Sequence, residues 1–199
     1  YNTDNLANSK FNSKTSATLL SLKPSLNIVS YNLSYSECLY IMVAVGTNNI
    51  DENLYPIKLL MWESEQTEYT IDNANYMSLK NGNATVNGKN CLIFYSKSRV
   101  AKEMANDVYL CAYVEIDGVN YYSDVIKYSV VQYVSDKINS GKYTEAQSNL
   151  YNAMLEYGSA AQILFNHNIS NLANANFVNV SVEDGYLANG TSNSIYKIG

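Results

Sequence analysis

Between Asp107 and Ser129 the chain alternates apolar and polar positions: Val108, Leu110, Ala112, Val114 and Ile116 on one side, Tyr109, Cys111, Tyr113 and Glu115 on the other. Successive side chains of an extended strand point to opposite faces of a sheet, so a period of two predicts a strand with one apolar face. Asp117 and Gly118 follow, a pair that accepts the positive φ angles of a two-residue hairpin turn, and Val119 to Tyr128 runs back as the partner strand.

Upstream, the same reading gives more short strands. Ala17 to Ile28 is apolar but broken by Lys23 and Pro24, and Pro cannot donate to a ladder, which points to an edge strand or a bulge. Leu33 to Val45 reads as a buried strand, Gly46 to Asn53 as a loop, Ile57 to Glu63 as a strand and Glu68 to Ile71 as a short one. Asn81-Gly82 and Asn87-Gly88 are turn signals that bracket Asn83 to Val86. Asn90 to Tyr95 is strand-like, and Ala101 to Met104 makes one helical turn in the connection after it. About seven or eight short strands with turn chemistry between them are what two packed antiparallel sheets require.

Beyond Tyr128 the period changes. Val131, Val134 and Ile138 fit a short helix that stops at Asn139-Ser140-Gly141, where Gly takes a left-handed cap. Thr144 and Gln147 form a capping-box pair at a second helix start. Leu150, Met154, Tyr157, Ala161 and Leu164 then recur at spacings of four and three, predicting one apolar stripe on a helix of about six turns. Val178 to Gly199 returns to β-type composition, with Asp184-Gly185 and Asn189-Gly190 as turns.

Composition narrows the function. The 199 residues carry a formal charge of −5 and a single Arg, Arg99, so the clustered cations that phosphate binding needs are missing and a nucleic-acid partner is not expected. The longest apolar runs, Cys38 to Val45 and Ile57 to Trp62, fall far short of the roughly 20 residues that cross a bilayer. Membrane insertion is therefore not expected. No initiator Met, signal peptide or sorting motif is seen, as expected of a piece of a longer protein. One His, His167, and three scattered Cys offer no recognised zinc spacing, and no cofactor is expected.

Side chains with possible chemistry have ordinary structural readings as well. Trp62 is followed by Glu63, Glu65 and Glu68, the kind of aromatic and paired carboxylates that glycosidases use. Glu63 and Glu65 would lie only about 7 Å apart on one strand face. With nothing else to position a substrate, a solvated acidic face beside a core Trp is the better reading, and the chain is not expected to be an enzyme. His167 has no Cys or acidic neighbour at helical spacing and reads as a surface residue. The 19 Tyr are more suggestive, because each offers a flat apolar ring and a hydroxyl at small entropy cost. Most cover sheet faces; Tyr69, Tyr95, Tyr121 and Tyr122 are the candidate ligand-binding residues.

Asp107, Tyr109 and Cys111 resemble strand F of immunoglobulin-like domains, in which a Tyr stands two residues before the second Cys. That resemblance implies a Cys38–Cys111 disulfide with Trp62 as the core tryptophan between the two. Trp62 comes late for this pattern, however, and Cys91 competes for the pairing.

A second resemblance covers more of the chain. Ala153-Met154-Leu155-Glu156-Tyr157-Gly158, Ala160-Ala161-Gln162, Phe165 and Asn171-Leu172-Ala173-Asn174 are similar to a module repeated in large secreted and cell-surface proteins of Gram-positive gut and rumen bacteria, and in prophage-like proteins. Leu60-Met61-Trp62-Glu63-Ser64-Glu65, Tyr69-Thr70, Ala101-Lys102-Glu103-Met104 and Tyr122-Ser123 extend it to about Leu19 to Asn174. Asn5, Leu6, Ala7, Asn8 and Phe11 recur as Asn171, Leu172, Ala173, Asn174 and Phe177, a repeat of about 166 residues.

The expected organisation is mainly β. Residues 1–12 are the tail of a preceding module and 13–129 an immunoglobulin-like antiparallel β-sandwich. A helical pair, 130–175, lies on or beside it, and 176–199 is a linker with the first strands of a further β-repeat. The resemblance implies an extracellular, cell-surface or secreted multidomain protein and no catalytic residues. The expected function is a non-catalytic binding or adhesion module for a host protein, such as immunoglobulin or another glycoprotein, with neighbouring modules of the same chain as further contacts. The alternatives are a carbohydrate-binding module of a polysaccharide-degrading assembly, with a glycan as partner, or a structural spacer.

Overall fold

The computed structural model describes residues 23–35 and 38–175. The expected preceding-module tail, the first copy of the Asn-Leu-Ala-Asn repeat, the apolar run before Lys23 and the expected β-repeat after residue 175 lie outside the described residues. The chain divides into two compact units. One holds residues up to Ser98 together with Asp107–Tyr128, and the other holds Arg99–Asn106 with the chain from Ser129 onward.

The first unit is mainly β. Its described residues form nine strands: β1 Ser25–Tyr35, β2 Leu39–Asn48, β3 Lys58–Trp62, β4 Tyr76–Leu79, β5 Gly82–Val86, β6 Lys89–Tyr95, β7 Val108–Ile116, β8 Val119–Tyr122 and β9 Ile126–Tyr128. They make two antiparallel sheets, one of four strands in the order β1-β2-β6-β5, the other of five in the order β4-β3-β7-β8 with β9 also on β7. The arrangement is sandwich-like. Side chains of β2 and β6 (Ile41, Val43, Val45 and Phe94) and of β3 and β7 (Leu59, Met61, Leu110 and Val114) form the interior, each 0% exposed. Alternation within each strand thus sets one apolar row inward.

The predicted hairpin is there. Asp117 and Gly118 have φ of 49° and 79°, and Ile116 faces Val119 across the turn. Asn87 and Gly88, at 51° and 75°, close β5 onto β6 in the same way. After Pro24 comes an edge strand, β1, with a bulge between Ile28 and Ser30. Three expectations need correction. The run Leu33 to Val45 is two strands, β1 and β2, paired with each other. Glu68 to Ile71 is not a strand, since its turn continues as a 3-10 helix at Ile71–Asn73. The return from Val119 to Tyr128 breaks at Ser123, whose hydroxyl accepts a hydrogen bond from the Ala112 N–H at 2.9 Å.

In the second unit, α1 is Val130–Ser140 and α2 is Glu145–Leu164. Ser129 caps α1 by accepting from Gln132 N at 3.1 Å, and Gly141 ends it at φ 64°. Thr144 and Gln147 form the predicted capping box. The α2 stripe is only partly the predicted one: Ala161 is buried as expected, but Leu150, Tyr157 and Leu164 are exposed, while Tyr151, Leu155, Gly158, Ser159 and Gln162 are buried.

Polar bonding explains the shift. Gln162, fully buried, donates from Nε2 to Asn171 O at 2.9 Å and accepts Ala173 N at 2.8 Å, and Ser159 Oγ accepts Asn174 N at 2.9 Å. A Cβ on Gly158 would sit 3.1 Å from Ala173 Cβ and 3.0 Å from Met104 Sδ. The Gly-Ser-x-x-Gln face of α2 therefore clasps the Asn171–Asn174 strap, a role that hydrophobic spacing does not report.

Candidate functional site

Outward faces of the two sheets hold Trp62, Cys111, Tyr122 and Tyr95. On the five-stranded sheet, Leu60 lies opposite Cys111 and Trp62 opposite Tyr109, so these side chains share the face turned away from the interior. That face is nevertheless sealed. The connection from Glu63 to Asn75 folds back over it, with Tyr69, Ile71 and Ala74 packed against the row and Tyr122 and Val125 closing the far side. Tyr69 meets Trp62 edge-on at 5.0 Å between centroids and Tyr109 at 5.6 Å. Trp62 Nε1 donates to Asn73 Oδ1 at 2.7 Å. Asn73 also accepts from Thr70 N and donates to Glu68 O, which ties the connection down.

Burial leaves its mark on ionisation here. Desolvation pushes the Cys111 thiol and the Tyr109 and Tyr113 phenols above their ordinary values. Cys111 Sγ donates to Ser123 O at 3.2 Å. No disulfide joins Cys38 to Cys111: all three cysteines are free thiols, with Cys38 exposed and Cys91 and Cys111 buried. The physical reason lies in register, because Cys111 points out of the sandwich and not across it. Trp62 faces the same way, so it is the core of the sealed outer layer and not of the inter-sheet space.

The four-stranded sheet is different. Register brings Asn32, Met42 and Tyr95 into one row across β1, β2 and β6, and Ser30, Ala44, Ile93 and Gly82 into the next, across all four strands. Ala44 and Gly82 are small and stand between bulkier Met42, Tyr95 and Val86, so the face dips into a groove of about 520 Å³. That volume is in the range of small-ligand sites. Four strands at about 4.8 Å spacing make the floor roughly 14 Å wide. Tyr40 holds the Tyr95 ring edge-on at 5.9 Å. Asn32 and Asn81 stand at the rim, and no lining residue carries a formal charge.

The four candidate tyrosines do not converge. Tyr95 lines the groove. Tyr69 and Tyr122 belong to the sealed layer; Tyr122 stacks on Tyr113 at 5.1 Å, and its hydroxyl lies 3.4 Å from the Ile71 N–H that it accepts. Tyr121 pairs with Val114 and so sits on the opposite face of β8 from Tyr122. Glu63 is taken up by Lys97 at 3.0 Å. His167 Nε2 lies 3.1 Å from Asn106 Nδ2. Sequence reasoning missed Met42, Ala44, Asn32 and Gly82, though alternate positions of β1, β2 and β5 carry the signal: small or uncharged residues where a solvated face would carry charge.

Among the described residues, no group of three or more His, Cys, Asp or Glu could hold a metal ion, and no helix is long and apolar enough to cross a membrane. Compared with known protein families, with curated proteins and with solved structures, the chain matches none.

Proposed function

We propose that this chain is a non-catalytic binding module of an extracellular, multidomain surface protein, and that its grip lies on the outer face of the four-stranded sheet. The observation that carries this is the groove: among the described residues, an uncharged depression with an aromatic wall and an amide rim, on a unit whose other outer face is sealed. An immunoglobulin-like arrangement of the sandwich and a helical pair that links it to following modules belong to the same proposal. A host protein held through a Tyr-studded surface is less well supported, since Tyr69 and Tyr122 spend their rings on intramolecular stacking.

Gly82 supplies the test. Its backbone φ is ordinary for an L-residue and an added Cβ meets nothing within 4 Å, so Gly82→Leu puts a bulky side chain at the groove with no clash at its first carbon. Immobilised chain, wild type and Gly82→Leu, is offered serum proteins and soluble polysaccharides. The expected result is a ligand retained by the wild type and lost by the variant; retention of nothing by either rejects the proposal in favour of a spacer.

A further inference from the structure

Resting on the reading of the chain as a binding module, we infer that the groove takes a neutral oligosaccharide, laid across the strands with a sugar face on the Tyr95 ring and hydroxyls on the rim amides. Charge is the first ground. The chain carries −5 overall, yet none of the groove residues is ionic, so a uronate, sulfate or phosphate would lose water with no cation to replace it. A cationic ligand would find no carboxylate in the groove either.

Donor and acceptor balance is the second ground. A hydroxyl both gives and takes a hydrogen bond, and an Asn amide offers both in one plane. Asn32 Oδ1 accepts from Leu33 N at 3.0 Å, which fixes the amide and leaves its NH₂ to donate. Among the described residues the side chain of Asn81 makes no hydrogen bond, while its backbone N donates to Ile93 O at 2.8 Å and so holds that rim residue on β6. Ser30 adds a hydroxyl on the far side.

Shape is the third. The floor at Ala44, Gly82 and Ala84 is low enough for a ring to approach the sheet, and Tyr95 stands over it, half-buried and braced by Tyr40. A tyrosine held this way loses little side-chain entropy on contact. An extended peptide fits less well. Over a sheet face the backbone donors and acceptors are already paired within the ladders, so a peptide main chain would lose water without gaining a strand partner. A peptide would add at a sheet edge and leave the groove empty.

An array of neutral glucan, xylan, mannan and galactan oligosaccharides, beside uronate- and sulfate-bearing ones, tests this with the full chain, Tyr95→Ala, Gly82→Leu and Tyr69→Ala. The expected result is binding to neutral members only, weakened at least tenfold by Tyr95→Ala and Gly82→Leu, with Tyr69→Ala binding as wild type at a temperature where it is folded. Binding to charged members alone, or neutral binding that survives both groove variants, overturns the inference. Capture of a protein but no glycan, abolished by Gly82→Leu, overturns the ligand class while leaving the binding module intact. Capture of neither removes both.

Discussion

On the five-stranded sheet the outward residues Trp62, Tyr109 and Tyr113 lie beneath Tyr69, Ile71 and Tyr122, whereas on the four-stranded sheet the buried outward residues Ala44 and Ile93 lie, among the described residues, at the bottom of a groove walled by half-buried Met42 and Tyr95. Both faces arise from the same alternation along antiparallel strands. What separates them is the length of the connections. The segment between β3 and β4 runs from Glu63 to Asn75, long enough to fold back and present Tyr69 to Trp62. Only Asn87 and Gly88 join β5 to β6, too few to reach over the face they border. An aromatic residue on the first face therefore stabilises the fold, and one on the second is available to a ligand.

The largest effect that would break this comparison is on the sealed side. Trp62 is 0% exposed, and Trp62→Ala should lower unfolding free energy by about 3–5 kcal/mol, seen as a shifted urea midpoint by circular dichroism. A loss within experimental error would mean the layer is not a core at all. Next is Asn73→Ala, which removes the acceptor for Trp62 Nε1 and the clamp on Thr70 and Glu68; about 1–3 kcal/mol should be lost, and Asn73→Asp should retain the acceptor part. Trp62 is the sole tryptophan, so its fluorescence reports this unfolding directly.

Alkaline pH sharpens the contrast further. Cys111, Tyr109 and Tyr113 have folded-state pKa values raised by burial above the ordinary 9.0 and 10.0. A raised folded pKa means that stability is complete below the unfolded value and falls as pH climbs past it, because the unfolded chain then binds fewer protons. The urea midpoint should hold level to about pH 9 and decline above it, and Cys111→Ala should delay the onset of the decline to the tyrosine range. The smallest effect belongs to the groove face: Gly82→Leu should change stability by no more than about 0.5 kcal/mol, because the added Cβ meets nothing within 4 Å.

Much of the fold was legible in the residues. Period-two alternation located β7, paired turn residues located both tight hairpins, and hydroxyl and amide chemistry at Thr144 and Gln147 located the start of α2. The misreadings share a cause. Alternation says that Tyr109, Cys111 and Tyr113 oppose Leu110 and Ala112, but not that a distant connection will bury them too. Hydrophobic spacing on α2 overlooked Gly158, Ser159 and Gln162, whose value lies in close approach and in bonds to backbone groups of the Asn171–Asn174 strap. The groove was the least legible feature, since it arises from cross-strand register between two strand pairs, β1-β2 and β5-β6, that are far apart in sequence. Tyr95 was singled out for its ring, while its neighbours Asn32, Met42 and Gly82 become neighbours only once β1, β2, β6 and β5 are ordered.

The most direct test sets one substitution against itself on the two faces. Tyr69→Ala and Tyr95→Ala are each carried through urea unfolding and through titration with whatever ligand the wild type retains. Tyr69→Ala should lower stability by about 2–4 kcal/mol and leave the affinity of the folded fraction unchanged, while Tyr95→Ala should lose at least tenfold in affinity with stability within about 1 kcal/mol of wild type. The reverse pattern, with affinity lost at Tyr69 and retained at Tyr95, would contradict the assignment of the four-stranded sheet as the binding face.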